Sequence, residues 1–317
     1  MSVALGFGTW GLGGDAYGSI TQTEAIRLLE TAYDCGIRIF DTSPSYGAGR
    51  AEEILGVFQK RYCDIQIFTK VGMLPHKTFE IPHDFSTKNL TNTVETSLKR
   101  LKLEALSLLQ LHSPQLDYLD RYPNLLEDLS ALVESGKVAK VGISLRSPNF
   151  LDSQFLDFGW KSFQFNFSLL DQRILASQSI NLGGFREAIR IARTPLHFGF
   201  LTGEGVPISE LGSNHHLAKW SRDQLNTWAN SAAKFKALAL SIDLSLEGLA
   251  LQFLKASSVP SLVIPGMMDI QQLKKNMKDF NLPKIDDSVY EEIIQIYGII
   301  EDTLKVDTPF RYTNKSQ

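Results

Sequence analysis

The sequence predicts an α/β protein, a (β/α)8 barrel formed as a single domain over residues 1–317. Strand and helix patterns alternate along the whole chain, which is typical of a parallel sheet covered by helices. About eight strands can be counted, and eight strands close a barrel. Linkers rich in Pro, Gly or Ser do not interrupt the alternation, so the chain is not expected to divide into two domains.

The predicted strands are short runs of β-branched and aromatic residues bounded by turn residues. They lie at residues 4–8, 37–41, 64–70, 106–111, 138–144, 162–167, 190–196 and 261–265. An open, doubly wound sheet is the alternative, but that fold opens a helix directly after the glycine-rich loop that follows its first strand. The segment GFGTWGLGG does not open a helix, which favours the barrel.

The predicted helices have recognisable ends and one apolar face. Thr21, with Glu24 three residues later, forms a capping-box pattern at the start of a helix that ends at Gly36. Further helices, each with apolar residues at helical spacing, are predicted at residues 51–58, from Ser86, from Pro123 and after Asp269 as an N-cap.

The composition narrows the class of protein. Of the 317 residues, 43% are hydrophobic and 21% are charged, and the net charge is -3. Nucleic-acid binding would require a basic face, so we expect no such partner. The N-terminus lacks a signal-peptide pattern and apolar runs are too short for a membrane span, so a cytoplasmic protein is expected. Cys35 and Cys63 suit a reducing compartment, and no Cys or His spacing indicates a metal site.

Four titratable residues are expected to meet at one rim of the barrel, because the carboxyl ends of all strands point to the same side. Asp41 ends the second predicted strand, Tyr46 follows five residues later, Lys70 ends the third strand and His112 follows the fourth. Each alone has an ordinary structural explanation, such as capping, packing or solvation. The set at successive strand ends indicates a catalytic site.

The residues around these positions resemble the aldo-keto reductases. The matching segments are GFGTWGLGG, FDTSPSYGAGRAEEILG, IFTK, LLQLHSP, VGISL, FQFNFSLLDQR, RTPLHFGFLTG and VIPGMMDIQQLKKN, in the family's order and spacing. The resemblance is strongest to the branch of aldose dehydrogenases and sugar or aldehyde reductases. It implies an oxidoreductase that transfers a hydride between a nicotinamide cofactor and a small carbonyl compound or sugar.

The resemblance gives the four rim residues chemical roles. Tyr46 is the expected general acid and base, since a carbonyl that accepts hydride also needs a proton on its oxygen. Lys70, held by Asp41, is expected to lower the pKa of the Tyr46 phenol. His112 is expected to orient the carbonyl oxygen and to stabilise its developing charge.

The resemblance also implies a cofactor site along the same rim. Thr9, Trp10 and Asp41 are expected at the nicotinamide end, where Ser144 and Gln164 hydrogen-bond the carboxamide. Arg193 occupies the position that stacks a planar side chain on the ring. The remaining implied contacts are Leu196, Gly199 and Leu201 at the pyrophosphate, Gly266, Met268 and Gln272 toward the adenosine phosphates, and Asn276 at the adenine.

Four departures from the family pattern bear on this cofactor site. Met268 and Gln272 are uncharged where a 2′-phosphate usually meets basic or hydroxyl residues, and only Lys274 and Lys275 nearby offer compensation. NADP is nevertheless expected ahead of NAD. Leu145 replaces an asparagine that assists Ser144, and Ser107 replaces an acidic residue before the histidine.

Two other functions suit the same residues. An aldolase or lyase of this fold would use Lys70 as a Schiff-base nucleophile, with Asp41 and His112 in support. A non-catalytic regulatory subunit would bind the nicotinamide cofactor with negligible turnover. A small-molecule substrate is the expected partner of the enzyme.

Overall fold

A computed structural model describes residues 3–76, 80–115, 117–147, 151, 158–212, 215–304 and 311–314. Its strands are β1 (Ala4–Leu5), β2 (Phe7–Gly8), β3 (Ile39–Asp41), β4 (Gln66–Val71), β5 (Glu80–His83), β6 (Leu108–His112), β7 (Val141–Ser144), β8 (Ser162–Asn166), β9 (Ile189–Arg193), β10 (Leu262–Ile264) and β11 (Arg311–Asn314). Its helices are α1 (Gln22–Asp34), α2 (Arg50–Phe58), α3 (Thr87–Leu101), α4 (Tyr118–Arg121), α5 (Leu125–Glu134), α6 (Gly183–Glu187), α7 (Arg222–Ser241), α8 (Leu246–Ser257), α9 (Ile270–Phe280) and α10 (Asp287–Leu304).

Parallel strands close into an eight-membered barrel. The order in the nine-stranded sheet is β1-β10-β9-β8-β7-β6-β4-β3-β2. Strands β1 and β2 are two parts of one strand on either side of Gly6, so the first strand pairs with both the last barrel strand and the second. A bridge between Gly8 and Gly266 extends this closure toward the rim. The predicted barrel is therefore confirmed.

Several sequence-based strand boundaries differ from the structure by two or three residues, and one pairing was not predicted. The strand expected at 190–196 ends at Arg193, because Thr194 has a left-handed φ of 55° and turns the chain. The strand expected at 138–144 begins only at Val141, while Val138 makes an isolated bridge to Leu106. Outside the barrel, β5 and β11 form a separate parallel pair.

The predicted helix ends agree well with the structure. The Thr21 side chain accepts a hydrogen bond from the main-chain N–H of Glu24, and the Glu24 carboxylate accepts one from the main-chain N–H of Thr21, which completes the capping box. The side chains of Ser86 and Asp269 likewise cap α3 and α9. The helix expected from Pro123 begins two residues later, at Leu125.

Alternation along the strands sets the position of the site. An apolar layer inside the barrel contains Phe68, Leu108, Ile191, Leu262 and Ile264. Phe68, Leu108 and Ile191 are each followed, two residues farther along the strand and on the same face, by a polar side chain. These polar residues are Lys70, Gln110 and Arg193. The apolar layer thus forms the floor beneath a polar layer at the carboxyl ends of the strands.

Among the described residues, no single helix is long and apolar enough to cross a membrane, although α7 and α8, bent by 87° between them, pass that test as a pair. Cys35 and Cys63 are free thiols. Over the same part of the chain, no group of three or more His, Cys, Asp or Glu side chains is arranged to hold a metal ion.

Candidate active site

The structure brings the four predicted rim residues together around one ammonium group. Lys70 has no exposed surface, and its Nζ donates hydrogen bonds to Asp41 Oδ1, to the carbonyl oxygen of Thr42 at 2.9 Å and to the Tyr46 hydroxyl at 3.4 Å. Tyr46 and the His112 ring meet edge to face, with 6.1 Å between ring centroids. The spacing D-x4-Y…K…H in the sequence therefore corresponds to a compact cluster.

The other carboxylate oxygen of Asp41 reaches across the barrel. Asp41 Oδ2 accepts hydrogen bonds from Gln164 Nε2 at 2.8 Å and from Gln110 Nε2 at 3.2 Å. The sequence analysis did not single out Gln110. Strand alternation could have predicted its position, because Gln110 lies two residues before His112 and therefore on the same face of β6.

Asp41 also fixes the orientation of the Gln164 amide. A carboxylate only accepts hydrogen bonds, so the amide nitrogen of Gln164 must face Asp41 and its oxygen must face Ser144. The Ser144 hydroxyl donates to that oxygen at 2.9 Å. One N–H and one lone pair of the Gln164 amide stay available at the cavity wall, which suits recognition of a carboxamide.

Arg193 is held rigidly beside Ser144. Its guanidinium donates to Asn166 Oδ1 at 2.8 Å, to Ser144 Oγ at 3.3 Å and to the carbonyl oxygen of Leu145 at 3.1 Å. Asn166, like Gln110, was not identified from the sequence. These bonds orient a planar cation against the cavity, as the proposed stacking position requires.

A close approach of two glycine loops positions Tyr46. A Cβ on Gly47 would lie 2.3 Å from the carbonyl oxygen of Gly13, and Gly47 itself has a φ of 58°, so a side chain would be both blocked and strained there. The loop after β2 thereby packs against the loop that carries Tyr46. The Trp10 and Tyr46 rings lie 6.4 Å apart as a result.

Opposing influences set the pKa of the Tyr46 phenol. Burial is the largest influence and raises this pKa above its ordinary value, while the Lys70 ammonium lowers it without reversing that direction. The expected effect of Lys70 on the phenol pKa is therefore present, but burial outweighs it. Desolvation disfavours the phenolate more than one ammonium, itself shared with Asp41, favours it.

His112 is neutral in this environment. Burial is the largest of several influences that lower its pKa well below the ordinary value, and the positive charges of Lys70 and Arg193 add to it. Its Nδ1 lies 3.1 Å from Ser43 Oγ. Its main-chain oxygen is 3.0 Å from Nε2 of His83, whose pKa burial lowers to about 4.

A cavity of about 240 Å³ opens above this cluster. Its polar and charged lining consists of Thr9, Asp15, Asp41, Ser45, His76, His112, Ser113, Arg146, Gln164, Asn166, Arg193, Thr194, His216 and Lys219. Aromatic, apolar and glycine residues complete it: Gly8, Trp10, Tyr17, Tyr46, Met73, Phe198, Trp220, Ile264 and Gly266. Of the sequence-derived cofactor residues, Thr9, Trp10, Asp41, Gln164, Arg193 and Gly266 thus face one shared space.

The remaining sequence-derived cofactor residues lie outside that lining. Ser144 sits directly behind Gln164, whereas Leu196, Gly199 and Leu201 follow β9 and Met268, Gln272 and Asn276 lie at or near the start of α9. The Leu201 side chain is fully buried in the core, so only its main chain is available to a ligand.

The start of α9 is internally bonded. Gln272 Oε1 accepts a hydrogen bond from the Met268 N–H at 2.9 Å, and Asp269 caps the helix through the Gln272 N–H. Lys275 forms an ion pair with Glu247. Lys274 is exposed on the same helix and offers a cation to an approaching phosphate.

Aromatic rings form one wall of the cavity. Trp10 packs edge to face against Tyr17 at 5.3 Å and against His216 at 4.8 Å. Nδ1 of His216 donates to the carbonyl oxygen of Ala16 at 2.9 Å, and burial lowers the His216 pKa to about 3. The sequence analysis assigned no chemistry to the histidines other than His112, and His216 acts here as a neutral packing partner.

Comparisons with known proteins agree with this geometry. The sequence model of the Aldo/keto reductase family matches residues 4–297. The uncharacterized oxidoreductase YqkF of Bacillus subtilis is 29% identical over 83% of this chain and 84% of its own length. Aldo-keto reductase yakc (NADP(+)) of Schizosaccharomyces pombe is 25% identical over 92% of this chain and 87% of its own length. The holo form of aldo-keto reductase AKR11C1 from Bacillus halodurans superimposes with a TM-score of 0.75 at 25% identity, over 92% of this chain and 91% of that one.

A family match across nearly the whole chain defines the class of protein: this chain belongs to the aldo-keto reductase family. It is therefore an oxidoreductase of a family that uses nicotinamide cofactors and small carbonyl compounds or sugars.

Proposed function

We propose that the protein reduces a small carbonyl compound, or oxidises the corresponding alcohol or sugar, with Tyr46 as the general acid and base. One observation carries the proposal. The Tyr46 hydroxyl lies 3.4 Å from a fully buried ammonium, that of Lys70, which is ion-paired to Asp41, and Tyr46 lines the cavity together with His112. A phenol between a buried cation and a substrate cavity is arranged to release and recover a proton.

When bound, the nicotinamide supplies or accepts the hydride at the carbonyl carbon. In reduction the Tyr46 hydroxyl donates its proton to the oxygen that gains charge, and the Lys70 ammonium stabilises the resulting phenolate. The raised pKa of Tyr46 keeps the phenol protonated at neutral pH, ready to act as an acid. In oxidation the same oxygen removes the proton from the alcohol.

His112 orients the substrate oxygen in this mechanism. We assign the Ser43 hydroxyl as the donor to His112 Nδ1, which places the imidazole proton on Nε2, where it donates to the carbonyl oxygen. Because the ring is neutral, this contact is a dipolar one that strengthens as the oxygen gains charge. Ser43 is therefore a positioning residue for the tautomer of His112.

The cofactor is proposed to lie along the rim from Trp10 to α9. Gln164 and Ser144 would hold the carboxamide, Arg193 would stack on the ring, and Thr9 and Gly266 would flank it. Leu196, Gly199 and Leu201 would follow the pyrophosphate with main-chain groups. Asn276, only 3% exposed on α9, would contact the adenine.

NADP is proposed ahead of NAD. The exposed ammonium of Lys274 on α9 and the NADP(+) named for a relative that matches most of the chain support this preference. The pairing of Lys275 with Glu247 removes one cation that a 2′-phosphate would otherwise meet. The test measures the dissociation constants of NADPH and NADH for the wild type and for Lys274→Gln. The wild type should bind NADPH more tightly than NADH, and the variant should bind NADPH more weakly with its affinity for NADH unchanged.

The test of the mechanism is the Tyr46→Phe variant, assayed by nicotinamide absorbance against a panel of aldehydes, ketones and sugars. We expect turnover to fall at least about 100-fold, since proton transfer is lost, while cofactor affinity is retained. Tyr62→Phe, on a tyrosine that packs against Phe58 outside the cavity, is the matched control and should keep full activity. Full activity in Tyr46→Phe would overturn the role of this phenol.

The two alternatives have distinct outcomes in the same experiment. Tight cofactor binding by the wild type without turnover of any carbonyl would indicate a regulatory subunit. Borohydride trapping of a substrate on Lys70 would indicate a Schiff-base enzyme. The structure does not favour that second chemistry, because the three N–H donors of Lys70 already meet Asp41, Thr42 and Tyr46.

A further inference from the structure

The mouth of the cavity carries an excess of positive charge. Arg146, Arg193 and Lys219 line the cavity together with two carboxylates, Asp15 and Asp41. Asp41 is neutralised by Lys70. Within the part of the chain that the structure describes, these three cations share the cavity with one carboxylate, Asp15, that forms no direct ion pair with them.

Two of these cations belong to loops that are outside the proton-transfer cluster. Arg146 follows β7, two residues beyond Ser144, and its carbonyl oxygen accepts a hydrogen bond from Asn166 Nδ2 at 3.3 Å. Lys219 ends the short helix His216–Lys219, which the main-chain bond from His216 to Ala16 fastens to the loop carrying Trp10. Each cation is thus anchored through its backbone beside the cavity.

Arg146 and Lys219 lie close enough to influence one another and the same histidine. The charge of Arg146 adds to burial in lowering the pKa of Lys219, although Asp15 opposes that shift. Both cations also contribute to the lowered pKa of His76, for which burial is the largest cause. The positive charges of Arg146 and Lys219 therefore act together on the side of the cavity that the loop after β4 forms.

That side is separate from the proposed path of the cofactor phosphates. Arg146 also acts on His83, which is packed against the main chain of His112. Apart from Phe198, the loop of residues 196–201 and the start of α9, where we place the phosphates, do not line this cavity. Arg146 and Lys219 therefore line the part of the cavity that we assign to the substrate.

We propose, on the basis of the function proposed above, that the physiological carbonyl substrate is an anion whose carboxylate or phosphate binds between Arg146 and Lys219. Charge-assisted hydrogen bonds are the strong class of polar contact, and Arg matches the planar geometry of these groups. The carbon chain then runs along Trp10 and Tyr17 toward the Tyr46 hydroxyl. A cavity of about 240 Å³ suits a small substrate of this kind.

The test compares pairs of aldehydes that differ in one charged group: butanal with 4-oxobutanoate, and glyceraldehyde with glyceraldehyde 3-phosphate. For the wild type we expect a KM about tenfold or more lower for at least one of the anionic members, consistent with one charge-assisted bond. The pair that shows the larger difference distinguishes a carboxylate from a phosphate. Salt should weaken the preference, since mobile ions screen the two cations.

Charge-removing variants assign the effect to these residues. Lys219→Gln and Arg146→Gln should each raise the KM for the anion about tenfold, with kcat and the KM for the neutral aldehyde unchanged. Arg146→Lys should retain the preference. Asp15→Asn, which keeps an oxygen to accept the Gly47 N–H, should lower the KM for the anion. Lys88→Gln, an exposed lysine on α3, is the matched control and should have no effect.

Equal KM values within both aldehyde pairs would overturn the proposal. A parallel loss of affinity for the neutral aldehyde or for the cofactor would overturn it as well, because the two cations would then be structural or cofactor-binding. If no carbonyl is turned over, the proposed function fails instead. Calorimetric binding of 4-oxobutanoate and butanal to the Tyr46→Phe variant still decides the anion preference in that case.

Discussion

Lys70→Met removes an ammonium from a site where neither side chain of the ion pair is more than 3% exposed. Among the described residues, the Asp41 carboxylate that stays behind keeps only the amide contacts of Gln110 and Gln164. Removing one partner of a buried pair typically costs about 3–5 kcal/mol, because the remaining charge is neither hydrated nor neutralised. With an unfolding entropy of ~2 cal/mol/K per residue, a loss of ~4 kcal/mol lowers the Tm of this chain by about 6 °C.

Differential scanning calorimetry of Lys70→Met, Asp41→Asn and the double variant measures this coupling. The double variant should lose at least ~2 kcal/mol less than the two single losses combined, because it no longer contains a buried unpaired charge. Lys88→Met, at an exposed position on α3, should shift the Tm by less than about 1 °C. Additive losses in the cycle would refute the account of Asp41 and Lys70 as one electrostatic unit.

Three further perturbations test other parts of the structure. Since burial raises the Tyr46 pKa, the reduction rate should stay flat through neutral pH and fall only above about pH 10, while oxidation should rise with pH; a reduction rate falling near pH 7 would contradict this. His83, with its folded pKa lowered to about 4, takes up its proton later than the unfolded chain does, so stability should be lost as the pH falls from about 6.5 through 4 by roughly 3 kcal/mol in urea unfolding. His83→Gln should remove only the part of that dependence due to His83, since the buried His112 and His216 also have lowered pKa values and act in the same direction; an unchanged slope would remove His83 as a source. Gly56→Ala should lower the Tm strongly, because a Cβ there would lie 1.9 Å from the carbonyl oxygen of Arg100; a shift under about 1 °C would show that the α2–α3 contact yields.

Strand alternation explains why much of the site was predictable. The fold fixes the position of a residue at the carboxyl end of a parallel barrel strand. Asp41, Lys70 and His112 could therefore be assigned to one rim from the sequence. Tyr46 required more, since its loop geometry depends on the close contact of Gly13 and Gly47. The family motif supplied that information without explaining it.

Contacts across the barrel and the balance of burial against charge were not predictable. Nothing in the local pattern around Gln110 indicates that its amide meets Asp41, because the pairing depends on barrel radius and strand tilt. The net pKa of Tyr46 likewise depends on how much water reaches the phenol, a quantity that sequence spacing does not contain. Arg146 and Lys219 lie on loops, whose course is set by tertiary contacts such as that between His216 and Ala16.

The chain of bonds from Ser144 through Gln164, Asp41 and Lys70 to Tyr46 has a thermodynamic consequence. A ligand that changes the hydrogen bonding of Gln164 alters the charge felt by Asp41, and through Lys70 it alters the affinity of the Tyr46 oxygen for its proton. Linkage is reciprocal, so the protonation state of Tyr46 must alter the affinity for that ligand by the same factor. Ligand occupancy at one end of this chain of bonds and the acidity of Tyr46 at the other are thus coupled in a single equilibrium.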